Sequence, residues 1–215
     1  IKSMGLPFEI SIIAGVIAAA AIGYLVGSLA IRRQGIYFSM ITLALSQLIY
    51  FIYLQAPFTG GEDGIQGIPR GKLLGMIDLE NDLVFYYVVL AIFLFGFWLV
   101  YRTIHSPFGQ VLKSIRENEP RAISLGYDVD KYKLLAFVIS AGLAGLAGST
   151  KTISLHLASL TDVTWQASGE VVLMTLLGGL GTILGPVVGA IIVVTLQNYL
   201  ASYGSWVTVI MGVIF

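Results

Sequence analysis

The chain has 215 residues, of which 57% are apolar and 11% charged, with Lys and Arg balanced by Asp and Glu at a formal net charge of zero. At a mean hydropathy of +0.88 it has too little charge to cover a soluble domain of this length, so a bilayer is the implied solvent. The absence of cysteine excludes a disulfide framework, a thiolate zinc site and an iron–sulfur cluster.

A first apolar span is expected over residues 7–31, stopping at Arg32-Arg33. A second covers 35–54 and ends on Tyr50 and Tyr53, residues typical of an interfacial belt. Residues 55–83 read as a polar loop rich in turn formers: Pro57, Gly60-Gly61, Gly64, Pro69 and Gly71. The third span is 84–101, a basic segment fills 102–133, and the fourth span is 134–150. A polar stretch, 151–168, leads into an apolar region, 169–200, broken at Gly178-Gly179, Gly181 and Gly185-Pro186. That region is expected to form two short helices or a re-entrant pair. The expected fold class is therefore all-α: a polytopic transmembrane helical bundle with short or broken helices, in a single domain over 1–215. The chain opens at Ile1 without an initiator Met and closes on a short apolar run, 207–215, too short to cross a bilayer of roughly 30 Å. Both ends are expected to be cut.

Orientation follows from the positive charges in the short loops. If the spans alternate, Arg32, Arg33, Arg102, Lys113, Arg116, Arg121, Lys131 and Lys133 share one side, against Lys2, Arg70, Lys72 and Lys151 on the other. Residues 102–133 are thus expected in the cytoplasm and 55–83 in the periplasm, while the topology of 169–200 is left open by its uncharged turn.

The basic segment has a compact design. Ser106-Pro107 supplies an N-cap and a first-turn proline, Asn118 with Pro120 stops that helix and caps another, and Gly126 ends the second. Arg116, Glu117, Glu119 and Arg121 gather at the turn, and Phe108, Val111, Leu112 and Ile115 form an apolar stripe at helical spacing. One reading is a solvated connector that satisfies the charge bias. The other is a docking element for a cytosolic partner, its charges fixing register and its stripe supplying contact area. A connector needs only a few residues and this segment has about 30, capped at both ends, which favours docking.

Several blocks resemble the LivM-type permeases of branched-chain amino acid importers. They are the run from Gly35 to Ala44, Thr59-Gly60-Gly61-Glu62-Asp63-Gly64 with Gly67-Ile68-Pro69, and Ile115-Arg116-Glu117-Asn118-Glu119 with Ala122 and Gly126. Lys133-Leu134 with Ala136-Phe137, and Leu177-Gly178-Gly179-Leu180-Gly181 with Gly185-Pro186, complete the set. The blocks follow the family's order over roughly residues 30–200, and urea-transporter permeases share much of the pattern. The resemblance implies a coupling loop contacted by an ATPase and carried by Ile115, Arg116, Glu117, Asn118, Glu119, Pro120, Arg121, Ala122 and Gly126. It also implies two ABC ATPase subunits, a companion LivH-type permease and a periplasmic amino-acid-binding protein, in a bacterial inner membrane.

Within the spans, Ser39, Thr42 and Ser46 recur on one helical face with Gln47 beside them. They serve either as interhelical packing or as a polar wall of a translocation path. Two small-residue stripes lie on the fourth span, Ser140/Ala144/Gly148 and Ala141/Gly145/Ser149, and packing is the favoured reading. Gly178, Gly179 and Gly181 mark a break that is either packing or part of a path or gate. Glu170 either supports a helix N-terminus after Ser168-Gly169 or faces the path; Glu9 has the same choice. His105 and His156 lack the neighbours of a metal site. No phosphate-binding loop is encoded: Gly67 to Leu73 has the wrong spacing. No cofactor, catalytic pair or nucleic-acid interface is expected. A secondary transporter would be expected to hold carboxylates in mid-span, and these spans are nearly free of charge.

Overall fold

The computed structural model describes residues 7–73 and 77–200, so Lys2 and the run 207–215 lie outside the described residues. The chain divides into two compact units, Ile1–Leu160 and Thr161–Phe215.

In the first unit four helices are long and apolar enough to cross a membrane: α1 (Phe8–Ala30), α2 (Ile36–Gln55), α3 (Asp82–Ile104) and α6 (Val129–Leu155). Between α3 and α6 lie two short helices, α4 (Pro107–Glu117) and α5 (Glu119–Ser124). The third and fourth spans run past the predicted limits of 84–101 and 134–150. Asn81 accepts from the Leu83 amide at 3.0 Å and Asp128 from the Lys131 amide at 3.3 Å. These caps start each helix in the polar flank, upstream of its apolar stretch.

The tightest packing in the unit is between α1 and α6, which run antiparallel. A Cβ on Gly23 would strike Ala141, and one on Gly145 would lie 2.5 Å from the Ala19 side chain and 2.9 Å from the Gly15 carbonyl. Gly15, Ala19, Gly23 and Gly27 recur every four residues, so α1 presents a bare stripe that lets the backbones meet. On α6 the matching stripe is Ala141/Gly145/Ser149, as packing predicts; Ser140, Ala144 and Gly148 are exposed. At one end of this seam Phe8, Ile12, Leu79, Phe85 and Ile153 form a buried cluster joining α1, α3 and α6.

Residues 56–73 and 77–81 fold over that end. Thr59 donates its hydroxyl to the Tyr53 and Ala56 carbonyls, both at 2.6 Å, which occupies carbonyls left open at the end of α2. Gly60 and Gly64 take positive φ, and a Cβ on Gly64 would strike the Ala158 carbonyl. That approach lets β1 (Ile65–Gln66) pair antiparallel with a later strand, Leu157–Ala158. His156, at φ +56, ends α6, its Nδ1 2.7 Å from the Ile68 carbonyl oxygen. A small hairpin, β2 (Lys72–Leu73) with β3 (Ile77–Asp78), follows, which makes Leu157–Ala158 β4. Arg70 pairs with Asp82 at 2.6 Å while its guanidinium lies 4.4 Å over the Phe85 ring.

The second unit contains α7 (Trp165–Gly178) and α8 (Gly185–Leu200), the two short helices expected of 169–200. Gly179, at φ +97, stops α7. A Cβ on Gly178 would strike the Gly185 backbone and one on Gly189 the Met174 carbonyl, so the glycines let the two helices fold back on each other.

Candidate functional site at the basic end of the spans

The α4–α5 pair forms where its sequence provides caps. Ser106 accepts from the Gly109 amide at 3.3 Å, with Pro107 in the first turn, and Asn118 accepts from the Arg121 amide at 3.1 Å with Pro120 behind it. At the far end Gly126 is left-handed at φ +87, with Gly126 N–H bonded to Ile123 O at 2.9 Å and Tyr127 N–H to Ala122 O at 3.2 Å. This doubled closure satisfies two carbonyls of the last turn of α5. Gly109 has no room for a side chain, because a Cβ there would strike the Ile104 carbonyl.

The pair has its own core. Ile115, Ala122 and Val129 are buried together, with Val111, Leu112 and Tyr132 packed against them. The Phe108 ring stacks on Tyr132 at 5.6 Å. This corrects one expectation: the stripe of Val111, Leu112 and Ile115 faces inward, because two short helices can hold a fixed shape only by burying it against each other and α6. Ile115 and Ala122, expected among the coupling residues, are therefore interior. The exposed apolar surface instead comes from Ile123, Leu125 and Tyr127, which are 57%, 66% and 40% exposed. Their signal in the sequence was their place outside the stripe, at the end of the second helix.

The charges divide the same way. Arg116, Glu117 and Arg121 are exposed, along with Asn118 and Pro120. Glu119 turns inward, and its Oε1 accepts from Lys133 Nζ at 2.7 Å and from Gln34 Nε2 at 2.8 Å. Gln34 lies in the α1–α2 turn and Lys133 in the second turn of α6, so one carboxylate joins three elements. Beside it lies a cavity of about 430 Å³ walled in part by Leu112, Phe38, Ala136 and Phe137. The same bridge brings the Arg32-Arg33 turn and segment 102–133 to one end of the unit. Residues 56–73 and 77–81 with β4 occupy the other, as alternating spans require. Asp128 is exposed, and the Lys131 ammonium 2.7 Å away, helped by the Lys131 amide, holds its carboxyl below the usual range.

The expected path residues are divided between the two units. On α2, Thr42 bonds back to the Phe38 and Ser39 carbonyls at 3.1 and 2.9 Å and Ser46 to Leu43 at 2.8 Å, so these hydroxyls are satisfied within their own helix. Ser39 is exposed and Gln47 partly so. Glu170, Gly178, Gly179 and Gly181 belong to the second unit. Glu170 is exposed and sits in the second turn of α7, because the helix starts at Trp165, ahead of Ser168-Gly169. Its expected support of a helix N-terminus is thereby weakened, since that effect fades beyond the first turn. Among the described residues no group of three or more His, Cys, Asp or Glu side chains could hold a metal.

Over residues 1–215 the chain matches the family described as the permease component of branched-chain amino acid transport systems. The chain belongs to this family. The permease is 28% identical to the high-affinity branched-chain amino acid transport system permease LivM of Escherichia coli K12, over 93% of the chain and 52% of that relative. It is 27% identical to a probable branched-chain amino acid transport permease LivM of Methanocaldococcus jannaschii, over 95% of the chain and 60% of the relative. It is also 30% identical to the ribose import permease RbsC of Bacillus subtilis, over 77% and 51%. The permease thus spans about half the length of the curated relatives it matches. No solved structure matches it.

Proposed function

We propose that this permease is a transmembrane subunit of an ATP-driven importer that carries branched-chain amino acids across a bacterial inner membrane. In this reading residues 102–133 face the cytoplasm and 55–83 the periplasm. The observation that carries it is the α4–α5 pair: capped, folded on its own core, and still exposing Arg116, Glu117 and Arg121 beside the apolar edge of Ile123, Leu125 and Tyr127. Such a surface suits a groove on a soluble partner, where apolar area supplies affinity and charges set register. The chain encodes no phosphate-binding loop, so ATP hydrolysis is assigned to two partner ATPases. A companion LivH-type permease and a periplasmic amino-acid-binding protein complete the assembly.

Charge reversal at Arg116 or Arg121 in the full-length permease is expected to abolish stimulation of ATP hydrolysis while the protein still inserts. Normal stimulation in both variants would overturn the docking role. The ribose permease among the relatives makes the substrate a separate question. Uptake in proteoliposomes should be blocked by excess leucine, isoleucine or valine and unaffected by ribose or urea; the reverse pattern would reassign the substrate.

A further inference from the structure

We infer that Glu119 is a positioning residue that carries movement of the α4–α5 pair into the α1–α2 turn, and so into α2. The inference rests on the coupling reading above and deepens it, by turning one of the charges expected at the partner interface into an internal link.

The pair and the start of α6 form one body. Ile115, Ala122 and Val129 share a core, Phe108 stacks on Tyr132, and α6 is held to α1 where their glycines let the backbones meet. Within that body Lys133 orients the Glu119 carboxylate, through the 2.7 Å contact. Phe137 of α6 meets Phe38 of α2 edge to face, and the contact that leads out from the pair itself is the 2.8 Å hydrogen bond from Gln34 to the same oxygen. An ionised acceptor strengthens such a bond, and a shift of about 1 Å would break it unless Gln34 followed.

Gln34 is well placed to follow. The next residue, Gly35, has φ +62 and ψ −133, and nothing lies within 4 Å of where its Cβ would be, so the entry to α2 is an open joint. None of the residues of α2 is buried, in contrast to α1 and α6. The cavity of about 430 Å³ beside the bridge leaves room for the side chains to move, between the Gln34–Glu119 hydrogen bond and the edge-to-face contact of Phe38 with Phe137. A direct route from the pair therefore runs through Glu119 and Gln34 to α2, the helix that carries Ser39, Thr42 and Ser46.

The test uses the intact permease reconstituted with its ATPases and measures ATPase copurification, uptake KM, and substrate moved per ATP hydrolysed. Glu119→Lys and Gln34→Ala should retain the ATPase and the KM, while substrate moved per ATP falls on the order of tenfold. The exchange Glu119→Lys with Lys133→Glu should restore the ratio, because the Gln34 amide can offer its oxygen to a lysine as readily as its nitrogen to a glutamate. A purely structural role would not move this ratio at constant ATPase content. If Glu119→Lys fails to insert, the exposed Gln34→Ala carries the test. A wild-type ratio in Gln34→Ala, or an exchange no better than Glu119→Lys, would overturn the link. Loss of the ATPase from Glu119→Lys would make that carboxylate a partner contact and also overturn it. Arg121→Glu separates the two readings: an ATPase still bound and stimulated there would sink the coupling role itself, independently of Glu119.

Discussion

Of the four charged side chains around the α4–α5 turn, Glu119 points inward to Lys133 and Gln34, while Arg116, Glu117 and Arg121 point to solvent. The apolar residues divide likewise, and the two sets should respond differently to truncation. Ile115→Ala removes a side chain that is 6% exposed and should lower stability by about 2–5 kcal/mol, read from thermal unfolding in detergent. Leu125→Ala should leave the unfolding temperature within about one degree of the parent and weaken ATPase binding. Equal destabilisation by both would show that Leu125 is covered within the permease itself. Asp128 makes a prediction about pH. Its carboxyl is held below the usual range, so its stabilising contribution is present above the unfolded value and lost as pH falls through the folded one. Asp128→Asn keeps an N-cap and removes the charge. The difference in unfolding temperature between that variant and the parent should therefore shrink as the pH falls from about 5 to about 3.

At the scale of elements, the α1–α6 seam and the α7–α8 turn depend on bare backbone. Two glycines three residues apart on α6 make the point. Gly145 faces α1 with Ala19 and the Gly15 carbonyl within 3 Å of a would-be Cβ, whereas nothing lies within 4 Å of one on Gly148. Gly145→Val should cost about 1–3 kcal/mol by overpacking. Gly148→Ala should be neutral or slightly stabilising, since it removes backbone freedom from the unfolded chain. Thermal unfolding of the two side by side checks the assignment of the stripes, and similar losses from both would count against it.

At the largest scale, the consequential arrangement is that the alternating helices of the first unit bring Arg32-Arg33 and segment 102–133 to one end and residues 56–73 and 77–81 to the other. The absence of native cysteine makes this directly measurable. A membrane-impermeant thiol reagent should label Lys113→Cys only from the cytoplasmic face and Asp63→Cys only from the periplasmic face, both positions being exposed. Labelling of both from one face would contradict the alternation, and a swap of faces would invert the proposed orientation.

The residues by themselves determined the number and order of the long apolar helices, the two capped helices of segment 102–133, and the break in 169–200. Each of these is a local property: continuous apolar length, the hydrogen-bonding habit of Ser and Asn before a helix, or a glycine after one. Helix starts were misjudged where Asn81 and Asp128 cap helices inside polar sequence, because hydropathy reports where the apolar stretch begins and not where the backbone bonds begin. Only the tertiary structure decided which face of α4 turns inward, which of two equally spaced stripes on α6 meets α1, and that Glu119 serves the interior while Glu117 serves the surface. Periodicity defines a face, but the choice of what it meets depends on partners distant in the chain: 85 residues separate Gln34 from Glu119. No local rule carries that distance.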